Sequence, residues 1–369
     1  MKIVLAPDSF KGSLSAAEAA LAMKEGIQSV IPEAECVMIP MADGGEGMLE
    51  PFIFKKGLIP AEVNVLNTYG KPKRALICID GDTAYIESAQ AVGLPDFTPD
   101  ELMPIHSTSY GVGEMIRFAL DQGCKKVLIG LGGSAVNDGG AGLLEALGAA
   151  YTYTDEVSGP VTLGKLQAIQ RVDLTTLDPR LNDIELMIAS DVNNPLTGSE
   201  GATAIFGPQK GVLPEDITRY DRWIEQFAAL TAAEIISAPG AGAAGGMGFA
   251  LLAAGGKFAQ GASIIGEEME LPEAISECDL VITGEGRSDE QTLYGKVAHY
   301  VAGQATHNQK PVILLSGSLD HEADELLDLF TASFSVMHSP CTLDYAIKNA
   351  KTLTIKRTAE IAKLIQLQL

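Results

Sequence analysis

Leu280-Val-Ile-Thr283 feeds directly into a glycine-punctuated segment, Gly284-Glu285-Gly286-Arg287-Ser288-Asp289, that continues to Gln291 and Lys296 and carries both charge signs. Residues of these types suit polyanions. Arg287 and Lys296 can bind phosphate oxygens, while Glu285 and Asp289 can hold Mg²⁺ or accept a proton. The apolar run reads as a short buried strand, and the glycines that follow read as a loop whose backbone amides approach a ligand closely. In open α/β sheets such loops sit at strand carboxyl ends and face a crevice.

Four more segments repeat the arrangement. Ile3–Ala6 runs into Pro7-Asp8-Ser9-Phe10-Lys11-Gly12-Ser13, and Val37-Met-Ile39 is followed by Asp43-Gly44-Gly45-Glu46-Gly47. Val127–Leu131 precedes Gly132-Gly133-Ser134-Ala-Val-Asn137-Asp138-Gly-Gly140, and Leu186–Ala189 precedes Ser190-Asp191-Val-Asn193-Asn194. A single loop of this kind is an ordinary turn. Five of them fit a shared cleft better.

The elements that must position these loops alternate between strand-like and helix-like, which predicts an α/β protein. Ser13 or Ser15 caps a helix over residues 16–30, with Glu18 completing a capping box, so that its N-terminus would point toward an anion held by the preceding loop. Further helices are expected over 112–122, from 138 or 139 to 147, and over 352–367. Strands are expected over 311–315 and 334–337. Residues 62–82 differ in texture: alternating Val63-Asn-Val65-Leu and the run Ala75–Ile79, separated by Tyr69-Gly-Lys-Pro72, predict antiparallel hairpins. The expected architecture is therefore a Rossmann/flavodoxin-like parallel-sheet domain made from both termini, residues 1–60 and 265–369. An α/β domain with a mixed sheet, residues 61–264, is inserted into it, with the active site in the interdomain cleft. Residues 239–248 are expected to form a glycine-rich loop.

Composition narrows the function classes. The chain has 369 residues, 46% of them apolar, enough for a substantial core. With 48 acidic and 26 basic side chains its net charge is −22, which disfavours nucleic acid and anionic membranes as partners. The 5 cysteines form no Cys-x-x-Cys pair, so neither a disulfide framework nor a zinc site is expected. The amino-terminal apolar run is too short for a signal segment, and no apolar run approaches a membrane-spanning length. A reducing cytoplasm is the expected location, and a homodimer stays open.

Two pattern matches carry little. Gly240-Ala-Gly242-Ala-Ala-Gly245 has dinucleotide-binding spacing but follows Ser237-Ala-Pro239 rather than a strand. Gly159–Lys165 has P-loop spacing, yet Leu166 stands where Ser or Thr would hold Mg²⁺.

Taken together, the segments Ala6–Ala16, Met41–Gly47, Thr108–Glu114, Gly130–Gly140, Asp191–Leu196, Ile205–Gly211, Gly240–Gly248 and Thr283–Lys296 resemble the type I family of bacterial glycerate kinases, in order and across nearly the whole chain. Two positions depart from the pattern, Val136 in place of a usual threonine and Val297-Ala298 after Lys296, and neither removes a charged residue. The resemblance implies Mg²⁺- and ATP-dependent phosphorylation of D-glycerate at the 2-hydroxyl, giving 2-phosphoglycerate. Phosphoryl transfer asks the protein for in-line positioning, a cation bridging phosphates, positive charge and a carboxylate near the attacking hydroxyl.

On that reading Lys11, together with Lys296 or Arg287, contacts phosphates or the glycerate carboxylate, and Gly132, Gly133 and Ser134 offer backbone amides as an anion nest. Asp191 is the first choice for proton acceptor or metal ligand, with Asp43 beside it as a catalytic candidate. Glu46, Glu285 and Asp289 are the metal candidates. Asp8, Ser9, Asn137, Asp138 and Gln291 complete the binding set, with capping of the helices that follow them as the lesser alternative for Asp8 and Asp138. Two rivals remain: transfer to the 3-hydroxyl, and a dinucleotide-dependent hydroxy-acid dehydrogenase. The second predicts an acidic residue at the end of a second strand, where this chain has Pro40-Met41.

Overall fold

A computed structural model describes residues 1–154, 157–289, 292, 296–320 and 328–367. In chain order its strands are β1 (Lys2–Pro7), β2 (Glu35–Met38), β3 (Ala61–Leu66), β4 (Pro72–Asp80), β5 (Thr83–Glu87), β6 (Lys126–Gly130), β7 (Ala150–Tyr153), β8 (Ile169–Asp173), β9 (Glu185–Ala189), β10 (Lys257–Ala259), β11 (Leu280–Ser288), β12 (Val312–Leu319) and β13 (Ala332–Ser335). They form two main sheets and a small pair, β7 with β8. The chain divides into two compact units, one comprising residues 1–43, 50–57 and 260–369, the other residues 44–49 and 58–259.

The first unit is built on a sheet in the order β13-β12-β11-β1-β2, parallel throughout. Its strands bury near-continuous apolar runs such as Ile3–Ala6 and Leu280–Ile282, the pattern expected when both faces are covered. The helix Ala16–Gln28 packs its alanine-rich face and Met23 and Ile27 into this core, as does the C-terminal helix Ala350–Gln366 through Leu353 and Ile361. Gly26 lets these helices meet, because a Cβ there would lie 2.4 Å from the Ile355 carbonyl oxygen. The first helix begins where the sequence places its signals: Ser15 Oγ accepts from the Glu18 amide at 3.2 Å, and the Glu18 carboxylate accepts from the Ser15 amide at 3.0 Å.

Strand order has a consequence for function. The chain leaves β1 for β2 on one side and returns in β11 on the other, so the topology reverses between β1 and β11. Crevices that accept ligands open at the carboxyl ends of strands at such a reversal.

The second unit holds a mixed sheet in the order β10-β9-β6-β5-β4-β3. β3, β4 and β5 form the antiparallel meander, and β5, β6, β9 and β10 are parallel. Its core gathers Ile86, Val127, Ile129, Ile188, Phe227 and Phe249. Trp223 packs beside this core, with its ring 5.3 Å from that of Tyr220. Among the described residues no helix is long and apolar enough to cross a membrane.

Three expectations are corrected. Gly284–Arg287 is not loop but the continuation of β11, pairing Glu285 with Ser316 and Arg287 with Ser318. The glycines serve strand packing: a Cβ on Gly284 would lie 2.1 Å from the Leu315 carbonyl oxygen. Residues 239–248 are not all loop, since the helical span Ala243–Ala253 begins within them and is interrupted by a positive-φ kink at Ala244, Gly245 and Gly246. The helix expected from 138 or 139 is confined to Ala141–Ala146, because the left-handed glycines 139 and 140 precede it.

Candidate active site

In the first unit, a cavity of about 820 Å³ opens over the carboxyl ends of the parallel strands and is lined by Asp8, Ser9, Lys11, Asp43, Glu285, Arg287, Asp289, Lys296 and Asp320. Each side chain arrives by a distinct route. Asp8 and Ser9 follow β1, and the Asp8 amide donates to the Gly284 carbonyl at 2.8 Å, which ties this loop to β11. A tight reversal then places Lys11 at its tip: the Phe10 amide donates to Leu14 at 2.8 Å, with Gly12 at φ +78°. Gly286 admits this turn onto β11, since a Cβ there would approach the Lys11 amide nitrogen to 3.1 Å. Lys296 stands at the N-cap of the helix Val297–His307.

The carboxylates are not equivalent. Burial, and after it the neighbouring Asp43 and then Glu285 charges, push Asp8 up to about 8, although the Ser9 amide donates to it at 2.6 Å. Glu285 is only 6% exposed, and its Oε1 accepts from Ser288 Oγ at 2.9 Å and Thr292 Oγ1 at 2.8 Å. Burial raises its pKa against those bonds and the Lys296 charge. Arg287 instead reaches outward, 66% exposed, donating to Asp320 at 2.9 Å with Asp289 at 3.5 Å. Crowded acids with a raised proton affinity mark a place where a cation would be welcome.

The second unit carries a different polar centre, at the carboxyl ends of β6 and β9, whose final residues Gly130 and Ala189 pair. Residues 44–47 lie against this edge: a Cβ on Gly44 would sit 2.4 Å from the Ala189 carbonyl oxygen, and one on Gly132 would sit 2.4 Å from Gly45. Glu46 reaches Gly133, whose added Cβ would be 3.4 Å from Glu46 Cβ. The Gly132 amide donates to the Gly44 carbonyl at 3.3 Å, so one of the expected nest amides is already engaged. Asp191 is partly exposed, two residues beyond the end of β9.

Asp138 is wholly buried and accepts from the Ser109 amide at 2.7 Å, Ser109 Oγ at 2.9 Å, the Gly142 amide at 3.2 Å and the Gly140 amide at 3.1 Å. These donors include the first turns of the helices Tyr110–Asp121 and Ala141–Ala146, so the carboxylate joins two helix N-termini. Asn137 donates from Nδ2 to Thr203 Oγ1 at 3.1 Å, and its buried Oδ1 has no hydrogen-bond partner among the described residues.

Of the residues expected at a site, Asp8, Ser9, Lys11, Asp43, Glu285, Arg287, Asp289 and Lys296 line one cavity of the first unit. Glu46, Gly132, Gly133, Ser134, Asn137, Asp138 and Asp191 belong to the second unit. Gln291 lies outside the described residues. Sequence reasoning missed Lys210, only 2% exposed, whose Nζ donates to Val136 O at 2.8 Å and Ser134 Oγ at 3.1 Å. Burial pulls its pKa down to about 7 against the Asp138 charge. It also missed Glu87, a buried carboxylate that accepts from the Leu49 amide at 3.4 Å and, with Gly47, anchors the 44–49 segment. Lys210 lies within the quoted Ile205–Gly211 segment, but no spacing in it announces a buried lysine.

Comparison with known proteins gives the assembly of loops a context. The model of the glycerate kinase family matches residues 3–366. The chain is 41% identical to glycerate 2-kinase of Escherichia coli K12, over 98% of this chain and 97% of that one. It is 39% identical to a glycerate kinase of Bacillus subtilis, over 100% and 98% of the two chains. A crystal structure from Salmonella typhimurium LT2, provisionally named glycerate kinase 2, superposes with a TM-score of 0.87 at 40% identity, covering 100% of this chain and 99% of that one. The chain belongs to the glycerate kinase family and is a phosphotransferase of that family.

Proposed function

We propose that the chain transfers the γ-phosphoryl group of ATP, with Mg²⁺, to the 2-hydroxyl of D-glycerate. The observation that carries this reading is the first-unit cavity, where the cations Lys11 and Lys296 and the crowded carboxylates Asp8 and Asp43 meet at the sheet's topological reversal. The regiochemistry is supported by the likeness to the Escherichia coli glycerate 2-kinase.

The donor set suits magnesium. All the acids in question present oxygen, and the Asp43 and Glu285 charges, which after burial raise the proton affinity of Asp8, favour a positive charge beside them. Among the described residues no group of three or more His, Cys, Asp or Glu side chains could hold a metal unaided. That agrees with a magnesium ion held by one or two carboxylates, here Asp8 and Asp43, and completed by phosphates and water. When bound, the ion neutralises phosphate charge. Lys11 and Lys296 add fixed positive charge for the transferring group, and the buried Glu285, locked by Ser288 and Thr292, keeps β11 and its Arg287 in register. Asp191 is the proposed acceptor of the hydroxyl proton.

A ³¹P NMR time course with Mg²⁺-ATP and D-glycerate tests the proposal. The expected product is a phosphomonoester split into a doublet by its single neighbouring proton. A triplet would move the phosphate to the 3-hydroxyl, and unconsumed ATP would refute the reading.

A further inference from the structure

The first-unit cavity changes character across the sheet. Asp8 and Asp43 follow β1 and β2, whereas Val336, Met337, Cys341, Leu343 and Ile347 follow β13 at the opposite edge, and none of these five is charged. Three inter-strand spacings separate β1 from β13, roughly 14 Å. A three-carbon acid cannot span that distance. A volume of about 820 Å³ likewise exceeds what glycerate needs and falls in the range of pockets for ligands with both an apolar body and polar groups.

The apolar end is also presented outward. Leu343, Ala346 and Ile347 have the i, i+3, i+4 spacing that places them on one face of the helix Leu343–Lys348, and Leu343 is 76% exposed. Cys341 Sγ lies 3.6 Å from Met337 Sδ, so two soft, polarisable sulfurs border the same surface. A flat, uncharged ring attached to a polyanion would match this gradient from end to end.

Resting on the function proposed above, we propose that the β13 end of the cavity is the subsite for the purine base of the phosphoryl donor, with its phosphates extending toward Lys11 and Asp8. Acceptor recognition then falls to groups away from this end.

Cys341 supplies a direct reporter, because it is exposed, whereas Cys78, Cys124 and Cys278 are buried. Alkylation by iodoacetamide, followed by mass spectrometry at Cys341, is expected to slow at least tenfold with Mg²⁺-ADP and to be unaffected by D-glycerate. In parallel, Leu343→Asp is expected to raise the KM for ATP at least tenfold while the KM for glycerate and the melting temperature hold. Unchanged Cys341 labelling with ADP, in an enzyme that still phosphorylates glycerate, would overturn the subsite and leave the reaction intact. Labelling that depends on protein concentration instead would assign the surface to a second copy of the chain, also overturning it. ADP protection without transfer to glycerate would keep the base subsite and refute the proposed acceptor.

Discussion

The two units each concentrate charge at the carboxyl ends of parallel strands, but they treat it in opposite ways. In the first, Asp8, Asp43 and Lys11 line an open cavity, and burial together with the Asp43 charge raises the hold of Asp8 on its proton. In the second, Asp138 is wholly buried, four hydrogen bonds converge on it, and Lys210 is sealed against Ser134 and Val136. Buried charge enclosed by hydrogen bonds braces a structure, and charge that faces a cavity is available to a ligand. The comparison therefore separates charges that face a cavity from charges enclosed by the fold, although their sequence motifs look alike.

The largest effect should come from the open centre. Lys11→Met removes a cation that faces the cavity and nothing that braces the core, so kcat/KM should fall about a thousandfold with little change in the denaturation midpoint. If the midpoint drops and activity per folded molecule survives, Lys11 belongs with the bracing residues.

Asp138→Asn should invert that result. Loss of charged hydrogen bonds at a fully buried site should cost about 3 kcal/mol in urea unfolding, while activity measured under stabilising conditions falls much less. An unchanged midpoint with abolished activity would place Asp138 in contact with substrate.

The smallest effect distinguishes the centres by pH. Asp8 has a folded-state pKa of about 8 against an ordinary 3.8, so between these values the folded chain holds a proton that the unfolded chain has released. Stability should fall as pH rises through that window, by at most about 1.4 kcal/mol per unit. Lys210 sits at about 7 against 10.5, so above pH 7 the unfolded chain binds more protons and stability should rise with pH up to 10.5. Urea midpoints from pH 5 to 10, without Mg²⁺ or nucleotide, should lose the first slope in Asp8→Asn and the second in Lys210→Met. Identical profiles in both variants would remove the electrostatic distinction.

Local signals in the chain were highly legible. The Ser15 and Glu18 capping box, the strands at Lys2–Pro7, Lys126–Gly130 and Glu185–Ala189, and the antiparallel texture of residues 62–82 are short-range patterns, read from neighbours in sequence. The α/β class with one parallel and one mixed sheet follows from them. The extent of β11 was not legible, because glycines that usually signal a turn here relieve contact with β12 and with the Phe10–Lys11 backbone. Chemistry-bearing residue types were visible as well, and eight of them line one cavity.

What the sequence determined by itself is thus the set of elements, their caps, the family motifs and the inventory of charged groups, all properties of local spacing and residue type. Tertiary structure decided what surrounds each charge. Lys210 meets Ser134 across 76 residues of chain, Asp8 titrates high because burial and Asp43 and Glu285 surround it, and Arg287 turns toward Asp320. Burial and electrostatic field are sums over neighbours distant in sequence, and no stretch of sequence carries them before the chain has folded.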